Sequence, residues 1–99
     1  MSKIKAWLVQ PDGEPQDIDV EMGDNVLRNV SMQFFEGNIL DLTKVKFRGR
    51  LCSMVVDDEG MRKELPVNKV ATEAYWANCR PGTTHPICGP AVIFGGVLP

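Results

Sequence analysis

The sequence predicts an α+β domain, with one mixed or antiparallel sheet of five to six strands and two helices in the order ββαββ(β)αβ. Three observations carry this. Residues 16–22 alternate, with Ile18, Val20 and Met22 against Asp17, Asp19 and Glu21, which is the period of a half-exposed strand. Leu27, Val30, Ser31 and Phe34 recur at helical spacing, giving one apolar stripe. Residues 91–98 are apolar throughout, as in a central strand covered on both faces. The 99 residues form one domain, 1–99, because a core of this size rarely divides.

Each element follows from local chemistry. Residues 3–10 place Ile4, Ala6 and Leu8 on one face and Trp7 and Val9 on the other, so both faces of this strand are covered. Gln10 to Pro15 is a turn, with Pro11 setting φ and Gly13 expected at positive φ. Residues 3–22 are then a β-hairpin. Asp24 or Asn25 caps a helix over 25–36, and Gly37 is its left-handed C-cap. In 38–48, Leu40 and Leu42 share one phase and Val45 and Phe47 the other, so a bulge or turn near Thr43 is expected. Residues 50–56 are a strand, 57–60 a hairpin turn and 61–65 a short returning strand stopped by Pro66. Asn68 caps a second helix over 69–77, buried through Val70, Ala74 and Ala77. The density of Pro and Gly in 78–90 leaves only a loop, and loops this long in small domains carry function disproportionately.

Composition removes several classes. Hydrophobic residues are 43% and charged residues 24%, the mix of a globular domain and not of a disordered one. A formal net charge of −2 disfavours a general nucleic-acid binder. No apolar run approaches membrane-spanning length. The first ten residues lack an uninterrupted apolar segment, so no signal peptide is read and the protein is expected in the cytoplasm. The three cysteines are then reduced thiols, and the Asn29-Val30-Ser31 sequon is idle.

Several groups carry candidate chemistry. Cys79, His85 and Cys88 share one loop, and Cys52 is the fourth residue that would close a zinc site. Their spacing lacks the paired Cys-x2-Cys knuckle, and the neighbours of Cys52 are core-type residues, so no metal is assigned. A thiol nucleophile with His85 as base lacks an orienting partner, and no catalytic residue is assigned. Asp57, Asp58 and Glu59 read as a solvated turn. Lys44, Lys46, Arg48 and Arg50 form an alternating basic row: an anion site if they share a face, or the positive charge that guards an edge strand. Tyr75 and Trp76 precede a loop with Arg80, Thr83 and Thr84. An aromatic to stack on, an arginine for phosphate and hydroxyls for sugar fit a nucleotide-like ligand. No phosphate-binding glycine loop is present, so ATP-driven and dinucleotide chemistry are unsupported.

The stretch from Val56 to Ala71, V-D-D-E-G-M-R-K-E-L-P-V-N-K-V-A, resembles the signature V-N-E-E-G-K-L-x-x-L-P-x-N-R-x-A. Upstream, Met32 to Ile39 resembles the L-Q-x-x-V-G-G-x-I segment of the same family, and Ile87 to Gly95 its closing strand. The family is a small domain of unknown function found mostly in phages, plasmids and bacterial mobile elements. The resemblance covers roughly residues 24–96. Lys69 replaces an arginine, Glu36-Gly37 replaces two glycines, and the 78–90 loop is longer. The resemblance implies the fold and a mobile-element origin, carries over no catalytic residue and does not include the cysteines or His85.

The resulting expectation is a non-enzymatic phage or mobile-element accessory protein that antagonises a host anti-phage defence system. Its most concrete form is an oligomer that sequesters an anionic nucleotide-type immune signal, such as a cyclic nucleotide. Tyr75, Trp76, Arg80, Thr83 and Thr84 would hold it, with Arg48 or Arg50 from a neighbouring copy. The alternative is a protein-binding inhibitor of a host enzyme, acting through the acidic face of Asp17, Asp19 and Glu21. Neither needs a cofactor or a membrane. An apolar last strand, with Phe35 and Trp76 expected to be exposed, favours a homo-oligomer.

Overall fold

The computed structural model describes residues 3–98. The elements are β1 (Lys3–Val9), β2 (Gln16–Glu21), α1 (Val26–Phe34), β3 (Leu40–Phe47), β4 (Arg50–Asp57), α2 (Lys69–Trp76) and β5 (Ala91–Phe94). They build one five-stranded sheet in the order β2-β1-β5-β4-β3, and every neighbouring pair is antiparallel. The α+β class and the ββαββαβ order are therefore as the sequence predicts, without the optional sixth strand.

The two helices lie on opposite faces, which explains why several strands are apolar in both phases. On one face α2 packs through Ala71 and Ala74 onto Val9, Val45, Cys52, Met54, Val56 and Ile93. On the other face α1 places Val30 against Ala6, Val20, Val55, Val92 and Phe94. β5 has all four residues buried, as its apolar sequence requires. Each large side chain buried there contributes roughly 1.5–3 kcal/mol. The nine-residue α1 is too short to be stable alone and is held by this packing.

Seven expectations are corrected. Asn25 stands at the N-cap of α1, but its side chain makes no capping hydrogen bond. Asp57 is buried and not part of a solvated turn. Gly13 is not at positive φ, although the turn it closes is present through Gly13 N–H to the Gln10 carbonyl, 3.3 Å. β3 runs without a bulge, in register from Leu40 opposite Asp57 to Phe47 opposite Arg50. Its two apolar phases serve the two covered faces. Residues 61–65 are a series of turns and not a strand: Lys63 N–H bonds the Glu59 carbonyl and Leu65 N–H the Gly60 carbonyl. The Asp57 carboxylate drives this by accepting from Glu59 N–H and Lys63 Nζ, both at 2.9 Å, a local alternative to strand pairing. Phe35 is 3% exposed and belongs to the α1 core. Ala77 is exposed, and the buried face of α2 is Ala71, Thr72 and Ala74.

Asn68 caps α2 as expected, its side-chain oxygen accepting from Ala71 N–H at 3.1 Å. Its amide nitrogen donates to the carbonyls of Val9 and Gly89, both at 2.9 Å. Thr72 Oγ1 accepts from Ile87 N–H at 2.9 Å. These bonds anchor the second half of the 78–90 loop beneath α2.

Candidate functional site

The residues expected to hold a nucleotide are distributed over three places. Arg48 is in the two-residue turn joining β3 to β4, where both Arg48 (φ 52°) and Gly49 (φ 80°) are left-handed, as a type I′ hairpin requires. Its guanidinium lies 5.2 Å from the Trp7 ring centroid and 5.0 Å from that of Phe47. Arg50 donates to the Gly95 carbonyl at 3.3 Å. Lys44 and Lys46 point to the α1 side, opposite the Val45 and Phe47 side chains in the α2-face core. The basic row therefore does not form one face, because strand alternation and the turn send its members to different sides.

The α2 end behaves similarly. Trp76 is 41% exposed but donates its indole N–H to the His85 carbonyl at 2.8 Å. Thr83 Oγ1 donates to the Arg80 carbonyl at 2.8 Å, closing a local turn. Arg80 and Thr84 are exposed. Tyr75 is half-buried. A hydrogen bond with the Cys79 sulfur, then the Cys79 charge, burial and the Asp41 carboxylate, push its phenol above the ordinary value. The aromatic, arginine and hydroxyl set thus has much of its polar capacity engaged within the chain.

Two concave features flank Tyr75. A cleft of about 260 Å³ lies between the first residues of β3, the 57–62 turn, α2 and the 85–88 segment. Its polar lining includes Asp41, Asp58, Arg62, His85 and Cys88. Arg62 is ion-paired with Glu59 at 2.5 Å, which leaves the cleft with more acid than free base. Among the described residues no three of Cys, His, Asp and Glu gather as metal ligands. Cys52 is buried in the α2-face core, where desolvation raises its thiol pKa despite the charge of Arg50.

The second feature, a groove of about 470 Å³, runs along the outer edge of β3. It is bounded by Tyr75, Asn78 and Cys79 on the α2 side and by Leu42, Lys44, Ser53, Val97 and Leu98 on the other. β3 is an end strand of the sheet. In a two-residue hairpin the flanking pair, Phe47 and Arg50, exchanges both hydrogen bonds. The peptide groups of Leu40, Leu42, Lys44 and Lys46 consequently point outward. The Asp58 N–H bond to the Ile39 carbonyl at 3.1 Å has the same phase. Only the Lys44 carbonyl meets a side chain on this edge among the described residues, Asn78 Nδ2 at 3.3 Å. Beside the edge, where α1 does not reach, Leu42, Leu51 and Val97 are 47%, 43% and 44% exposed. β3 is the edge strand that the alternative reading of the basic row expects; the apolar strip beside it is not part of that reading. Leu42 and Leu51 in phase with Lys44 and Lys46 were its available sign.

The opposite end strand, β2, carries the acidic row. Asp17, Asp19 and Glu21 are exposed and lie opposite Trp7, Lys5 and Lys3. A Lys5–Asp17 ion pair spans 3.6 Å. Gly95 N–H donates to the Lys5 carbonyl, so Lys5 faces β5. The intervening residues Ile4, Ala6 and Leu8 then face β2, and the peptide groups of Asp17, Asp19 and Glu21 point outward. No helix among the described residues is long and apolar enough to cross a membrane. Comparisons with protein-family models, curated proteins and solved structures find no match for this chain.

Proposed function

We propose that this chain is a non-enzymatic accessory protein, of the mobile-element kind its resemblance implies, which antagonises a host defence system by binding a host protein. It binds through the open edge of β3, to which a partner segment adds as a further strand. The observation that carries this is the edge itself: outward peptide groups, an exposed apolar strip of Leu42, Leu51 and Val97, and two lysines in phase with it. Main-chain bonding gives such an edge affinity and the alternating side chains give it selectivity. The complementary partner segment is extended, apolar at one end and acidic at alternate positions.

Sequestration of an anionic nucleotide-type signal is the second reading. It is favoured by Arg80 and Thr84, whose side chains make no hydrogen bond or ion pair among the described residues, beside the half-buried Tyr75.

Native mass spectrometry of the protein purified from bacterial cells separates the two. The expected result is a stoichiometric protein partner that is lost in Leu42→Asp and kept in Arg80→Ala. Nucleotide-sized mass lost in Arg80→Ala and Tyr75→Ala, and retained in Leu42→Asp, would replace this reading with the second.

A further inference from the structure

The two end strands are complementary to each other. β3 presents outward peptide groups with Lys44 and Lys46 on the α1 side of the sheet. β2 presents outward peptide groups with Asp17, Asp19 and Glu21 on the α2 side, since they lie opposite Lys3, Lys5 and Trp7, and Trp7 packs against the α2 core. We propose that a second copy of this chain docks β2 onto β3, extending the sheet head to tail. This rests on the reading that the β3 edge accepts an acidic strand, and it names one such strand in the chain itself.

The geometry sets how the copies meet. Turning the second copy over about the axis that crosses the strands reverses its strand direction and exchanges its faces. β2 and β3 then run antiparallel, and the acidic row and the lysines fall on the same side. With Asp19 opposite Lys44, Asp17 falls opposite Lys46 and Glu21 opposite Leu42. Opposite charges directly across an antiparallel pair are favourable, and like charges are not. β2 on β2 would align acid with acid, and β3 on β3 would bring lysines together, so the self-pairing of either edge is disfavoured. The same turn places α1 of one copy beside α2 of the next, and the sheet surface each leaves bare beside that of its neighbour. Every added copy leaves one free β2 and one free β3, so the contact does not close on itself. The Asn78 bond to the Lys44 carbonyl is long and exposed, and an incoming strand displaces it.

Sedimentation velocity on the intact chain over a wide concentration range, in about 50 mM and about 500 mM sodium chloride, is the test. The expected result is a concentration-dependent ladder of species that shrinks at the higher salt. Asp19→Pro and Lys44→Pro each delete one outward N–H and no bond within the sheet. Each variant alone stays monomeric because it lacks one of the two edges, and the two mixed form a 1:1 heterodimer and nothing larger. Should either proline variant fail to fold, the paired charge reversals Asp17→Lys with Asp19→Lys, and Lys44→Glu with Lys46→Glu, are each expected to weaken association at least tenfold. A wild-type chain that stays monomeric at low salt, or an Asp19→Pro chain that still self-associates, overturns the proposal. Binding of a protein partner is expected to be retained in Asp19→Pro, whose β3 edge is untouched; an Asp19→Pro chain that binds no partner while the wild-type chain forms the ladder counts against the proposed function and leaves head-to-tail docking standing.

Discussion

Asn68 uses both amide hydrogens and its side-chain oxygen inside the molecule, on Val9, Gly89 and Ala71, and is fully buried. Asn68→Ala strands two carbonyls and an N–H, so about 3 kcal/mol of stability is expected to go. A urea titration checks this, and a loss under about 1 kcal/mol would mean that water replaces those bonds. The cap was legible in the sequence because it acts three residues away. The bond to Val9 joins positions far apart along the chain, which no local pattern encodes. The thiols give a second expectation. Cys79 and Cys88 are half-exposed while Cys52 is buried, so an aromatic disulfide reagent should titrate two thiols in the native protein and the third only after unfolding. Burial raises the Cys52 pKa in the folded chain. The unfolded thiol therefore ionises first as pH rises, and its contribution to stability, fully present below the unfolded thiol's pKa of about 8.5, is lost as pH climbs above that toward the raised folded value. In Cys52→Ala the stability curve over that window should be flatter; an unchanged slope would assign the alkaline loss to other groups.

The β3–β4 hairpin and the 57–65 turns show what segments could and could not announce. Strand β4 and helix α2 were plain from apolar runs and an Asn cap, since both signals are local. The turns do not show as turns in the sequence because the contacts that complete the local Asp57 bonds come from elsewhere. Asn38 reaches Asp57 from before β3, and the Cys88 carbonyl occupies the place a Cβ on Gly60 would take. Gly60→Ala must push that backbone aside, and it is expected to cost about 2 kcal/mol or more, read as a lowered midpoint in thermal melting. Arg48 in the left-handed turn position stores about 1–2 kcal/mol of strain, and its contacts over Trp7 and Phe47 return about 0.5–1 kcal/mol. Arg48→Gly is therefore expected to change stability by no more than about 1 kcal/mol, and a larger loss would show that the stacking outweighs the turn. The proposed site is half legible for a related reason. The basic row suggests a guarded edge at β3, but strand order, and with it the second edge at β2, is not encoded in the alternation of either strand.

At the scale of the molecule, stability is concentrated where β5 lies between the two hairpins. Phe94 is fully buried against both β1 and α1-side residues, so Phe94→Ala is expected to cost about 3–5 kcal/mol. That is a large share of the roughly 5–15 kcal/mol available to a domain, and circular dichroism should find this variant close to unfolding at 37 °C. A variant that melts within a few degrees of wild type would show that α1 can collapse onto the gap. The same central strand has a bearing on how the protein is made. Among the described residues β5 follows both hairpins in the chain, and it is the strand that touches both. From the emergence of Asp57 to that of Phe94, at about 5–20 residues per second, some 2–7 seconds pass. Through that interval the inner margins of β1 and β4 wait side by side with no strand between them. A nascent chain of this design spends its early life with two bare inner margins, and in the cell its yield should depend on how well chaperones shield them until synthesis brings the missing piece.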